Sequence, residues 1–539
     1  MSKLREFKTD VLVVGGGLGG VAAALAALRA GRTVVMTEEF DWIGGQLTSQ
    51  AVPPDESSWV EQFGITRSYR QLREGIRSYY RNNYLLTPES RACSELNPGA
   101  GWVSRLCAEP RVAVAVLEAM IAPWRGGGQL TVLQPFIPIS ADVDGDVVKA
   151  VTLKQRNTGE LVTVSAEYVI DATELGDLLP MTGTEYVTGF ESQSDTGEPS
   201  APAEAQPNNE QSFSVCFAVD HVDGDHTIDK PKNYDFWKTY GPDYWGGPML
   251  SWSAPHPRTL EIATRSFTPN PDDDPLLVKA DQRLNAGDSN LWTFRRIAAR
   301  RNFVSGAYAS DICLVNWPMI DYLEGSIIDV SEAEKQRHIK AASELSYSMF
   351  YWMQTEAPRV DGGIGFPGLR LRGDVTGTDH GLAMAPYIRE SRRIKSVTRI
   401  VEQDLSHEVR GEAGAVRYRD SVGVGMYRID LHPSTGGDNY IDVASCPFEI
   451  PLGSLLPIRI KNLLPACKNI GTTHITNGCY RLHPIEWNIG EVAGALAAHC
   501  LNNGLTPHGV QENDTELSEF QTSLQNQGVE IHWPEAKAY

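Results

Sequence analysis

The sequence predicts an α/β fold, and three observations carry that prediction. A short β-branched strand, Asp10 to Val14, runs directly into a glycine turn at Gly15, Gly17 and Gly20. An alanine-rich helix follows, closed by Gly31, and a second strand ends at Glu38. Strand, helix and strand in this order form a βαβ unit, which belongs in a parallel sheet. The third observation is length. At 539 residues the chain is too long for one ordinary core, so further packed regions are expected.

Each element of the βαβ unit has a physical reason. Val11 to Val14 is apolar throughout, as a strand buried on both faces requires. Gly15 permits the tight turn, Gly17 lets backbone approach a diphosphate, and Gly20 lets the helix pack on the strand. Leu18 and Gly19 open the helix, whose free N–H groups and positive dipole end favour phosphate. Glu38 ends the second strand, where a carboxylate accepts from ribose hydroxyls, and Glu39 follows it. A lone G-x-G-x-x-G is weak evidence. Strand, turn, helix, strand and acid in order point to a bound dinucleotide.

Further along, Arg70, Arg73, Arg77 and Arg81 recur at helical spacing. They predict a helix with a solvated face, with a substrate-anion site as the alternative. Strand-like segments between Thr131 and Ala172, Ile137 among them, lead to "VIDATELGD". The stretch Glu191 to Gln211 is rich in Ser, Pro, Gly and Glu, and reads as a long mobile loop. From about 212 to 330 the pattern is β-like and aromatic, with Tyr234, Trp237, Trp245 and Trp252. Such a cluster packs a core or walls a pocket for a planar or sugar-like substrate. Ser331, with Glu334 three residues on, opens a long helix that should end near Pro358. "GGIGFPG" repeats the glycine spacing at Gly363, Gly365 and Gly368. It follows a helix end and contains Pro367, so it reads as a loop.

Composition narrows the partners. Lys plus Arg is 48 against 68 for Asp plus Glu, a net charge of −20, which disfavours nucleic acid and anionic membrane. The eight cysteines form no CxxC or zinc spacing. They read as buried small hydrophobes in a reduced cytoplasmic setting, and no metal is expected. The N-terminus has no leader core, and the glycine turn cuts the apolar stretch Val11 to Ala30, so no membrane span is expected.

Two further segments separate FAD from NAD. "DWIGGQLTS" carries Gly44, Gly45, Gln46, Leu47 and Thr48, and "VIDATELGD" carries Asp171, Ala172 and Thr173. With these the sequence resembles the two-dinucleotide-binding-domain flavoproteins of the glutathione reductase and fumarate reductase type. There the double glycine passes close to the flavin and diphosphate. Glu174 stands where that pattern has glycine. "NLLPACKNIGTTHITNGCYRLHPIEWNIGEVAGALAA" resembles their closing segment, which covers the flavin's pyrimidine end and here includes Asn488 and Ile489. With "NWPMIDY" and "YIRESRRI", the chain is similar to the bacterial FAD-dependent oxidoreductase family from about residue 8 to 510.

That resemblance implies a discontinuous Rossmann-like FAD-binding domain over 1–185 and 441–510. An α+β substrate domain over 186–440 is inserted into it, and 511–539 is a tail. No second nucleotide fold is evident, so the electrons are expected from the bound substrate. The implied reaction is oxidation of a C–H bond adjacent to O or N of a small organic substrate. Hydride passes to flavin N5, and oxygen or another acceptor reoxidises it. The alternatives are a flavin monooxygenase or NAD(P)H-dependent reductase of an activated double bond, and an FAD-binding protein without redox turnover. A homo-oligomer is compatible with either.

A base must sit beside the flavin, so the closing segment supplies the catalytic candidates His474, His483, Arg481 and Glu486. Arg481 can hold a substrate carboxylate or the charge of reduced flavin. Structural alternatives stand beside each: His483 can satisfy backbone at a helix entry, and Glu486 can complement a helix dipole. On the substrate side the candidates are Asn316, Trp317 and one of Arg389, Arg392 and Arg393 of "RESRR", with a structural ion pair to Glu390 as the alternative.

Overall fold

The computed structural model describes residues 5–271 and 290–534. A parallel sheet forms its centre. β1 (Arg5–Val14), β2 (Val34–Thr37), β3 (Leu130–Leu133) and β6 (Leu161–Asp171) run in the order β3-β2-β1-β6. The strand Leu463–Pro465 continues it, pairing in parallel with the last residues of β6. β4 (Phe136–Asp144) and β5 (Val147–Gln155) are antiparallel, and β5 pairs with the first half of β6. Val11 lies opposite Val34, and both Val14 and Pro465 lie opposite Asp171. A strand near residue 464 thus completes a sheet begun at residue 5, which makes this Rossmann-like domain discontinuous.

Small residues bring the two ends of the chain together. Helix α1 (Leu18–Arg29) packs along the closing helix His483–Asn503. A Cβ on Gly490 would lie 2.0 Å from Gly19 O, and one on Gly494 2.1 Å from Ala23 O. Only glycine allows that approach, so backbone meets backbone directly beneath the glycine turn.

The inserted α+β region holds a second, antiparallel sheet. Phe217–His221 lies between Ile312–Val315 and Leu369–Leu371, with Arg296–Ala298 outside them. Its long helix is Glu332–Thr355, and Ser331 Oγ accepts from Glu334 N at 3.2 Å. Tyr234, Trp237, Trp245 and Trp252 are buried in this region's own core. "GGIGFPG" lies in the turn between that helix and Leu369–Leu371.

Three expectations are corrected. In helix α2 (Arg67–Asn83), Arg73 and Arg77 are buried, not solvated. Arg73 pairs with Glu56 and Glu61, and Arg77 with Glu61 at 2.6 Å. Partners outside the helix neutralise them, which the spacing within the helix does not reveal. The segment from Glu191 to Gln211 has many exposed residues but is held at buried acids. Glu191 accepts from His474 N at 2.9 Å, and Glu198 from Glu402 N at 2.8 Å. Cys93 is exposed, although the other seven cysteines are buried, and all eight are unpaired. Among the described residues no helix is long and apolar enough to cross a membrane.

Candidate active site

The glycine turn is tied down on both sides. Gly15 has φ +104°, and a Cβ there would lie 2.2 Å from Ala172 O. Gly20 packs under it, its added Cβ only 2.0 Å from Gly15 O. Gly16 N donates to Glu38 Oε2 at 3.0 Å, and Phe40 N to Glu38 Oε1 at 2.8 Å. Burial pushes the Glu38 carboxyl up to about 8. Phe136 N donates to Glu38 O at 2.8 Å, which sets its half-buried neighbour Ile137 beside the acid. Glu39 faces outward, 3.8 Å from Arg156.

The double-glycine loop lies across this turn. Gly44 N donates to Gly16 O at 2.7 Å, and a Cβ on Gly45 would lie 3.0 Å from Gly17 Cα. Thr48 Oγ1 closes the loop on Ile43 O at 2.7 Å, and Leu47 is buried beneath it. Gln46 Nε2 crosses to the closing segment, donating to Arg481 O at 3.0 Å and to Glu486. Ala51 then adopts φ +65°, a conformation a non-glycine residue keeps only where its surroundings hold it. At the end of β6, Ala172 N donates to Val14 O at 2.8 Å and Thr173 Oγ1 to Asp171 Oδ1 at 2.7 Å.

At the N-terminus of α1, Gly19 N donates to Glu486 Oε1 at 3.3 Å. Glu174 stands beside Gly17 and Gly45, with its Oε1 buried and unpartnered. Lys468, fully buried, donates to Glu174 and lies 3.6 Å from Glu486 Oε2. Glu174, Cys467 and Glu486 bring three possible metal donors together, and the buried Lys468 ammonium sits among them, offsetting one of the two carboxylate charges. A helix N-terminus that holds a carboxylate, with a buried ammonium beside it, suits an anionic diphosphate.

A cluster of buried polar side chains lies beyond this cradle, where the inserted region meets the double-glycine loop. Ala385 N donates to Ser49 O at 3.0 Å, which fastens the two. Arg481 Nη1 donates to the Tyr387 hydroxyl at 3.1 Å and Nη2 to Asp430 O at 3.0 Å. Arg389 pairs with Asp321 at 3.0 Å, and Arg295 with Asp55 at 3.4 Å. His432 Nδ1 lies 2.6 Å from Asp321 Oδ2. Burial opposes the charge on Asp321, but Arg389 and His432 hold its carboxyl below the usual range. Asp321 therefore accepts, His432 Nδ1 carries the proton, and Nε2 of the neutral ring is left as an acceptor. Burial, and then the Arg389 charge, pull the His432 pKa down.

A family model described as FAD dependent oxidoreductase matches residues 10–524. The chain belongs to that family. It is an FAD-dependent oxidoreductase, and FAD is its cofactor. A curated relative, N,N-dimethylglycine/sarcosine dehydrogenase of Chromohalobacter salexigens, is 44% identical over 63 residues. That match covers 12% of this chain and 9% of the relative's length. Among solved structures, a glycerol-3-phosphate dehydrogenase from Bacillus halodurans complexed with FAD matches at 16% identity and a TM-score of 0.23, over 40% of each chain. A geranylgeranyl bacteriochlorophyll reductase-like protein from Thermoplasma acidophilum matches at 11% identity and a TM-score of 0.32, over 98% of this chain and 85% of that one. These TM-scores are too low to carry an argument.

In this FAD-dependent oxidoreductase the residues singled out from the sequence divide into groups. The glycine turn, Glu38, the double-glycine loop and Glu486 converge on one cradle. Asn488 turns away from α1, its amide 3.4 Å from Val422 O, and Ile489 is buried. His483 has both ring nitrogens on backbone: Nδ1 accepts from Asp55 N at 3.2 Å, and Nε2 faces Val52 O at 3.2 Å. Burial pushes it down to about 4, so it is neutral at physiological pH and fixes the Val52–Asp55 segment. His474 stacks on Phe190 with centroids 3.6 Å apart, and its Nδ1 lies 2.8 Å from Glu390. Arg392 is held by Asp329 at 2.8 Å, Asp177 at 3.2 Å and Leu175 O. Asn316 and Trp317 are buried, with the Asn316 amide and Trp317 Nε1 unpartnered. Sequence reasoning did not single out Asp55, Arg295, Tyr387, His432 or Lys468 for the site. Asp321 was within "NWPMIDY" without a role. A histidine between two acids in "DLHPSTGGD" is the one local signal for His432.

Proposed function

We propose that this FAD-dependent oxidoreductase oxidises a C–H bond adjacent to O or N of a small organic substrate bound at the polar cluster. The observation that carries the reading is the His432–Asp321 pair, set in a buried polar cluster that Arg481 and Gln46 join to the double-glycine loop. FAD, held by the glycine turn and the double-glycine loop, would supply the two-electron acceptor for hydride from the substrate carbon, with oxygen or another acceptor as the final oxidant. His432 Nε2 takes the proton from the donor O–H or N–H. Asp321 fixes the tautomer that makes this possible and stabilises the imidazolium that forms. Arg481, 3% exposed, supplies positive charge between the cluster and the loop. His474 is the second candidate base, since its Nδ1 is likewise held by a carboxylate, but its ring is stacked and enclosed.

The short similarity to N,N-dimethylglycine/sarcosine dehydrogenase agrees with a C–H beside nitrogen and does not choose nitrogen over oxygen. The eight unpaired cysteines support a reducing, cytoplasmic setting. The test is anaerobic mixing of the FAD-loaded enzyme with amines, amino acids, polyols, sugars and aromatic alcohols, following flavin absorbance. Bleaching by a donor, slowed in His432→Gln, supports the reading. Bleaching by NADPH with none by any donor favours a monooxygenase or reductase.

A further inference from the structure

The buried polar cluster contains three guanidinium groups whose hydrogen bonding is incomplete in the same way. Arg295, Arg389 and Arg481 each leave Nε buried and unpartnered. Arg389 and Arg481 are 2% and 3% exposed, so bulk solvent does not reach them. Their terminal nitrogens are used: Arg389 on Ser212 O, Ser214 and Asp321, Arg481 on Tyr387 and Asp430, Arg295 on Asp55. Two of the aspartate pairs are loose, 3.4 Å for Arg295–Asp55 and 3.5 Å for Arg481–Asp430. Charge-assisted bonds normally close to 2.7–2.9 Å.

All three arginines act on one tyrosine, Tyr387. Tyr387 accepts from Arg481, its ring lies 5.0 Å from Arg389 Cζ, and it feels the Arg295 charge. The Nε side of a guanidinium is half of the planar fork that binds a carboxylate through two parallel bonds. Buried donors are costly to leave unmade, and three unmade in one cluster point to a missing acceptor. The formal charges balance, with Asp55, Asp321 and Asp430 against the three arginines. A monoanion fits that balance better than a dianion.

We infer that the substrate carries a carboxylate, bound through the free edges of Arg295, Arg389 and Arg481 around Tyr387. This rests on reading the cluster as the substrate site. It narrows the donor to a small organic acid whose oxidisable C–H lies next to O or N.

The experiment titrates the FAD-loaded, oxidised enzyme with acetate, glycolate and succinate, with their amides, and with inorganic phosphate. The readout is the perturbation of the flavin absorbance, which needs no turnover. Carboxylates are expected to saturate at concentrations at least tenfold below their amides. Arg481→Met and Arg295→Met, loaded with FAD to the wild-type level, should each weaken carboxylate binding at least tenfold, and lysine at either position should recover part of it. Amides binding as tightly as acids, phosphate binding tighter than either, or methionine variants that bind acids like wild type would overturn the inference. Flavin bleaching by neutral donors with no response to carboxylates removes the anion site and leaves the oxidation. Carboxylate binding with no bleaching by any donor, acids included, removes the oxidation and leaves the anion site.

Discussion

His432 Nδ1 lies 2.6 Å from Asp321 Oδ2, and the same carboxylate pairs with Arg389 at 3.0 Å. One buried acid thus sets the tautomer of a histidine and anchors a guanidinium. His432→Gln keeps a polar side chain but loses the titrating base. Flavin reduction by the donor is expected to slow by about 10²–10⁴-fold, with FAD content unchanged. In wild type the rate should rise with pH through the His432 pKa, which burial and Arg389 hold below its ordinary value of 6.5, and then level off. The variant should lose that limb. Rapid-mixing absorbance across pH measures both.

Lys468 is the only cation the structure gives Glu174 and Glu486 as a salt-bridge partner among the described residues. Lys468→Met would leave two buried carboxylates uncompensated beside the cofactor cradle. A loss of about 3 kcal/mol in stability is expected, together with at least tenfold weaker FAD binding. Thermal unfolding of the apoprotein and fluorescence titration with FAD measure the two separately.

Gly19 meets two neighbours at once. An added Cβ would lie 1.7 Å from Ala466 O, and its own backbone lies against Gly490. Gly19→Ala and Gly490→Ala should each force α1 away from the closing segment, at a cost of about 1–3 kcal/mol or more. Gly31→Ala is the control for steric room, because nothing lies within 4 Å of its added Cβ. Its φ of +83° still carries backbone strain, so its loss should be smaller than that of the other two. Urea unfolding of the three variants ranks them.

The Glu38 carboxyl is pushed by burial from its ordinary 4.5 to about 8. In the folded protein it keeps a proton that the unfolded chain has lost. Folding stability from this group is therefore present below pH 4.5 and declines as pH rises towards 8. Asp171, raised by burial to about 7, acts in the same direction. Unfolding temperature should fall across this window, and Glu38→Gln should flatten the fall. Calorimetry of the apoprotein at a series of pH values gives the slope.

The cofactor cradle was legible because its physics is local. A backbone turn at φ +104° against Ala172, and a helix so close that a Cβ on Gly20 would lie 2.0 Å from Gly15 O, demand glycine at fixed spacing in one short segment. Apart from Arg481, a candidate from the closing segment, the polar cluster was not legible for the opposite reason. Asp55, Arg295, Asp321, Tyr387, His432 and Arg481 come from distant parts of the chain, and no period in the sequence joins them. His474 and His483 stood out by sitting in the closing segment. The contacts that occupy them, Glu390 and Phe190 for one and the Val52–Asp55 backbone for the other, lie far off in sequence. Arg73 and Arg77 show the same limit, since Glu56 and Glu61 decide their burial from outside the helix.

The most direct measurement is anaerobic flavin bleaching of the FAD-loaded wild-type enzyme, without NADPH, against small donors with a C–H next to O or N. Bleaching by at least one donor, fastest for those bearing a carboxylate and slowed at least a hundredfold in His432→Gln, is the expected result. A flavin that stays oxidised with every donor and is reduced at once by NADPH would contradict it.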